Sequence, residues 1–254
     1  MAVDPVEPIA TAPEESEGGT MTLLEHLQEL RGRVAWSGAA VFAGMLLFFI
    51  PPVGFASIDF LLRPATDQIP NFRAQAISPM ENIVVYFRVA LLGGVALGMP
   101  MLVYQVLRFV TPALTPGERR WVLPVVVASS GMFALGLAFG YLIMLPAAYG
   151  FLFKFGNEFA DITPTISSYI DLTTRLLLVS GVVFETPIVI MGLAKFRLVT
   201  ARKLWGWWRW ALLGAFILSA VLTPTPDPVT QTLVAMPMVV LYFVGIGLAW
   251  LIRR

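Results

Sequence analysis

Six long apolar stretches separated by short polar ones constrain this chain more than any other feature it has. They run from about Val34 to Ile50, Ile83 to Leu107, Trp121 to Leu145, Leu176 to Leu193, Ala211 to Leu222 and Val229 to Ile252. A bilayer core of about 30 Å takes roughly 20 apolar helical residues per crossing, and in lipid only helices and closed barrels satisfy every backbone amide and carbonyl. A barrel would show strands of about ten residues alternating apolar and polar, whereas the apolar residues here come in unbroken blocks. The expectation is an all-α integral membrane protein with six transmembrane helices in a single domain, residues 21–254. Pro100, Pro124, Pro146, Pro187 and Pro237 remove amides and kink their helices. The fifth apolar run, twelve residues, makes only about 18 Å of helix, extended by an interfacial girdle of Trp205, Trp207, Trp208 and Trp210. Kinks and one short span predict a concave bundle.

Orientation follows from the basic residues. Twelve of the 17 Lys and Arg fall on the first helix, the second-to-third and fourth-to-fifth connections with Arg209, and the C-terminus. By the positive-inside rule both termini are cytoplasmic in the cell membrane. The expected external loop after Pro51-Pro52 holds Pro64, and a second external segment precedes Leu176. Arg88, one to two turns into the second span, can snorkel outward. Residues 1–20 carry Asp4, Glu7, Glu14, Glu15 and Glu17 with no Lys or Arg. They read as a disordered acidic leader, unlike a basic secretory signal.

Chemistry is sparse. A net charge of +1 gives no electrostatic case for a nucleic-acid partner. The absence of cysteine excludes disulfides and thiolate chemistry, and a single histidine, His26, excludes a His-rich metal site. No HExxH, phosphate-cradling loop or serine with a base at its depth occurs. An enzyme is not expected, and neither is a cofactor or a metal.

The notable residues are charged groups in unusual places. In TLLEHLQELRGR, residues 22–33, Leu23, Leu27, Leu30 and Val34 lay one apolar stripe along a membrane-surface helix. Glu29 and Arg31 lie about 160° apart on such a helix, whereas Glu29 and Arg33 can pair at i,i+4. Glu29 is therefore either part of a solvated charged face or half of a binding site. Glu118, beside Arg119 and Arg120, is either neutralised by them or a second acid on the same cytoplasmic face. Two such carboxylates could each take a guanidinium in bidentate fashion. Glu185 sits mid-span, where a carboxylate costs about 2.5 kcal/mol or more. It either seals against a neighbouring helix or serves function.

EHLQELRGR before the first span, YQVLRFVTPALTPGERR after the second, FETP in the fourth and LTPTPDPVTQTLVAMP across the fifth and sixth occur in that order. With them the chain resembles the TatC family, the core subunit of the twin-arginine protein translocase, over about residues 21–252. The resemblance implies a non-enzymatic receptor that binds twin-arginine signal peptides of folded cargo on the cytoplasmic face. It further implies assembly with TatA and TatB, more than one copy in the receptor complex, and transport driven by the protonmotive force. Glu29 and Glu118 match the acids that hold the arginine pair, and Arg31 and Phe109 match positions in the same region. Pro64, Glu185, Asp227 and Gln231 match further functional positions, with Glu185 and Gln231 as polar contacts for partner transmembrane helices. A short fifth span would thin the bilayer locally. The rival class is a secondary transporter or ion channel with Glu185 as the ion or proton site, which would call for an inverted repeat that the chain does not display.

Overall fold

The computed structural model describes residues 23–66, 74–110, 116–156, 164–195, 197–222 and 227–252. The acidic leader, Thr22 as a cap and most of the turn before Asp227 lie outside the described residues. All six apolar stretches fall on helix. The first helix, α1 (Leu23–Phe48), fuses the expected surface helix with the first span. It stops before Pro51 and Pro52, which open α2 (Pro51–Thr66). Proline is well placed there because the first amides of a helix have no partner to lose. The carbonyl of Ile50 accepts from Val53 and Gly54 instead, at 2.9 and 3.0 Å, and the chain bends by 90°. The first sixteen residues of the stretch expected to be an external loop are thus helix.

Helix α3 (Pro79–Val110) packs along α1. The approach is close because glycines line it: a Cβ on Gly94 would stand 2.6 Å from the Val41 carbonyl, and one on Gly98 3.1 Å from the Val41 side chain. Small residues admit such backbone contact in lipid, where dispersion rather than the hydrophobic effect holds helices together. The short α4 (Pro116–Arg119) precedes α5 (Val122–Phe139). A π-helical turn, Gly140–Met144, then leads into α6 (Leu145–Gly156). The turn widens just before Pro146, whose missing amide interrupts the ladder, and the Leu145 amide reaches back to the Gly140 carbonyl.

Helix α7 (Ile166–Phe184) begins ten residues before the expected start at Leu176. It breaks at Glu185, two residues ahead of Pro187, and resumes as α8 (Thr186–Lys195). A one-residue parallel bridge, Gln75 to Thr165, ties the entries of α3 and α7 together. After α9 (Ala201–Gly206), α10 (Trp208–Leu222) is fifteen residues long, about 22 Å of helix against a core of about 30 Å. The last helix, α11 (Pro228–Ile252), has Pro237 inside it.

Among the described residues four helical stretches are long and apolar enough to cross a bilayer: Pro79–Val110, Val122–Lys154, Ile166–Lys195 and Pro228–Ile252. The bent pair α1–α2 meets the same criterion taken together, and α10 is shorter. The main core, with Tyr169, Met144, Leu145, Ile170 and Leu176 fully buried, joins α2, α3, α6, α7 and α11. A smaller cluster of Ile190, Ala194, Leu204, Ile246 and Ala249 fastens α8 and α9 to α11. The Tyr242 hydroxyl donates to the Leu204 carbonyl there at 2.7 Å.

Arg88 reaches toward the beginning of α7. Its Nη1 lies 2.8 Å from Asp171 on α7, which also takes Arg175 at 3.0 Å.

Candidate functional site

The beginning of α1 and the end of α3 enclose a cavity of about 440 Å³, lined by Glu29, Arg33, Trp36, Tyr104, Gln105 and Arg108 among others. Its acid is Glu29. The guanidinium of Arg33, one turn on, donates to Glu29 Oε1 through both Nε, at 3.0 Å, and Nη2. This is the i,i+4 pair the sequence predicts. Arg33 Nη1 also reaches the Gln105 amide oxygen on α3 at 3.5 Å, so the pair is anchored across the helix interface. Glu29 Oε2 is buried and has no hydrogen-bond partner among the described residues. His26 Nδ1 stands 3.9 Å from it, beyond hydrogen-bond length.

Phe109 joins this site through His26. The two rings stack with centroids 4.3 Å apart and 24° between planes, closing one end of the interface between α1 and α3. On the other wall Arg108 donates to the Tyr104 hydroxyl at 3.0 Å. Arg31 is exposed on α1 and pairs with no described residue. Glu118 lies on α4, eight residues beyond the end of α3, and its side chain is outside the described residues. Of the four residues expected at the peptide site, the structure brings Glu29 and Phe109 together. His26, Tyr104, Gln105 and Arg108 were not anticipated. The one available signal was that Tyr104, Gln105 and Arg108 recur at helical spacing and so share a face with Met101.

The other four expected residues lie elsewhere and each has a local role. Glu185 sits at the break between α7 and α8, where its Oε2 accepts from the Ser129 hydroxyl of α5. Its Oε1 is buried without a hydrogen-bond partner among the described residues. Gln231 is turned onto α10: its side-chain amide donates to the Phe216 carbonyl at 3.1 Å, and its backbone carbonyl accepts from the Ser219 hydroxyl at 2.6 Å. Asp227 is the N-cap of α11, with Oδ1 accepting the Thr230 amide at 2.6 Å. Pro228 follows at the first helical position, a strong start signal. Pro64 is buried within α2. No group of three His, Asp or Glu that could hold a metal occurs among the described residues.

Fold and site together define a multi-pass helical membrane protein with charged and aromatic groups at helix ends and a carboxylate, Glu185, at the break between α7 and α8. Residues 25–237 match the family model of the Sec-independent protein translocase protein (TatC). The chain is 34% identical over 258 residues to the Sec-independent protein translocase protein TatC of Synechocystis sp., covering 99% of this chain and 98% of that protein. It is 32% identical to the protein of the same name from Deinococcus radiodurans, covering 98% and 93%. A crystal structure of the twin-arginine translocase receptor TatC superposes with a TM-score of 0.80 at 31% identity, covering 91% of this chain and all of that one. The chain belongs to the TatC family. It is a subunit of a Sec-independent protein translocase and not an enzyme.

Proposed function

We propose that this chain is the receptor that binds twin-arginine signal peptides at the face where α1 begins and α3 ends, and that this face is cytoplasmic. Glu29 and Glu118 each take one guanidinium of the arginine pair. Phe109 supplies an apolar wall, and Arg31, on another side of α1, positions the peptide. The receptor assembles with TatA and TatB, with more than one copy per complex, and folded cargo crosses at the expense of the protonmotive force. Glu185 and Gln231 are the polar contacts offered to partner helices, Asp227 and Pro64 hold the opposite end of the molecule, and both termini are cytoplasmic.

One observation carries the reading: Glu29 is a half-buried carboxylate with one oxygen spent on Arg33 and the other without a hydrogen-bond partner among the described residues. A buried oxygen left unpaired costs about 1–3 kcal/mol, and an arriving guanidinium would supply the missing donors. With Oε1 engaged, the incoming arginine meets Glu29 through Oε2, so the bidentate clamp expected from sequence becomes a shared carboxylate between two guanidiniums. The test is binding of a signal peptide bearing Arg-Arg to the purified full chain in lipid nanodiscs, against the same peptide with Lys-Lys. Arg-Arg should bind more tightly, and Glu29→Ala and Glu118→Ala should each reduce the difference. Equal affinity for the two peptides would refute the mechanism.

A further inference from the structure

His26 is the only histidine of the chain, and it stands between two groups of the proposed peptide site. One face of its ring is stacked on Phe109 at 4.3 Å. Its Nδ1 is 3.9 Å from Glu29 Oε2, about 1 Å longer than a charge-assisted hydrogen bond. That oxygen is the one without a hydrogen-bond partner among the described residues. Sliding along the Phe109 face would bring Nδ1 within reach without breaking the stack or disturbing the Arg33 pair on Oε1.

We infer that His26 is an internal competitor for Glu29: in its charged form the imidazolium takes Oε2, and the arginine of a signal peptide must displace it. The inference rests on the proposed role of Glu29 as an arginine acceptor. The titratable and charged groups around this corner are Glu25, Glu29 and Arg33 of α1 and Tyr104 and Arg108 of α3, with Arg31 on another side of α1 and Glu118 of α4 eight residues beyond α3 in sequence. Arg33 is committed to Glu29 Oε1 and Arg108 to Tyr104, so neither reaches Oε2 without giving up a bond it has. Neutral His26 leaves the oxygen open, and charged His26 both fills it and repels an incoming cation. Signal-peptide affinity should therefore fall as protonation charges the imidazole.

The experiment measures affinity of the full chain in nanodiscs for Arg-Arg and Lys-Lys peptides free of His, Asp and Glu, at about pH 8 and about pH 6, above the ordinary carboxylate range. The native chain should lose about three- to fivefold in Arg-Arg affinity over this interval, the size of a partly exposed ion pair. His26→Gln and His26→Asn, which keep a polar side chain but cannot take on a charge, should bind at pH 6 as the native chain does at pH 8. A fall with pH that is the same in the native chain and both variants would overturn the competitor role while leaving Glu29 as the acceptor. Equal binding of Arg-Arg and Lys-Lys at pH 8 would instead overturn the acceptor reading, and the competitor with it.

Discussion

Tyr141 donates its hydroxyl, at 2.8 Å, to the carbonyl of Phe60, the oxygen that Pro64 leaves without an amide four residues further along α2. The two rings lie stacked at 4.2 Å with 6° between planes. Tyr169 makes the companion bond, to the Leu61 carbonyl at 3.0 Å. Pro64 thus turns one rung of α2 outward, and tyrosines from the π-turn and α7 fasten that helix over the bundle. Tyr141→Phe keeps the stack and removes only the hydroxyl, so it should cost about 0.5–1.5 kcal/mol, read as a lowered unfolding midpoint in micelles. On a Pro64→Ala background, where residue 64 regains its amide, the same change should cost clearly less. Equal costs on both backgrounds would show that Pro64 and Tyr141 are not coupled.

Asp171 carries two guanidiniums, Arg88 from α3 and Arg175 from its own helix. Arg88 is also spent on the Ser167 carbonyl at 3.4 Å, so it is held on α7 from two sides. Asp171→Asn would leave two cations at the edge of the apolar region without their anion. Arg175→Ala removes only a half-exposed partner. The first should lower the unfolding midpoint more than the second, and Arg88→Ala should lie between them. If Arg175→Ala were the most damaging, the link between α3 and α7 would not run through Arg88.

These two networks also explain what the sequence disclosed and what it hid. Apolar blocks located the helices that carry the six apolar runs, because the need to satisfy backbone groups in lipid leaves no alternative, whereas α2, with Asp59 and Arg63 on it, read as loop. The Glu29–Arg33 pair was legible because both ends sit on one helix face. The start of α7 was not, because Asp171 and Arg175 read as loop charges when counted alone. They are tolerated in the helix since Arg88, far away in sequence, completes the group. The stack of His26 on Phe109 and the bond from Ser129 to Glu185 escaped for the same reason. Each joins residues on different helices, and helix periodicity says which face a residue occupies but not which face lies opposite.

Ser129 is buried on α5 and donates to Glu185 at the break between α7 and α8. Ser129→Ala would leave both carboxyl oxygens of Glu185 without a hydrogen-bond donor among the described residues. The expected loss is about 1–3 kcal/mol. On a Glu185→Leu background the same change should be close to neutral, since no acceptor remains. Thermal unfolding of the four proteins closes the cycle, and a Ser129→Ala cost that survives in Glu185→Leu would mean that packing, not the bond, is what the serine supplies.

Asp227 separates a structural from a transport role. As the N-cap of α11 it accepts the Thr230 amide, and removal of a cap by alanine typically costs about 1 kcal/mol. Asparagine caps about as well as aspartate but carries no charge. Asp227→Ala should therefore lower the unfolding midpoint while Asp227→Asn leaves it near that of the native chain. If capping is all that Asp227 contributes, export of a folded twin-arginine cargo in cells should follow stability, impaired by alanine and kept by asparagine. Export lost in Asp227→Asn at unchanged stability would show that the carboxylate's charge, at the end of the bundle away from Glu29, acts in transport itself.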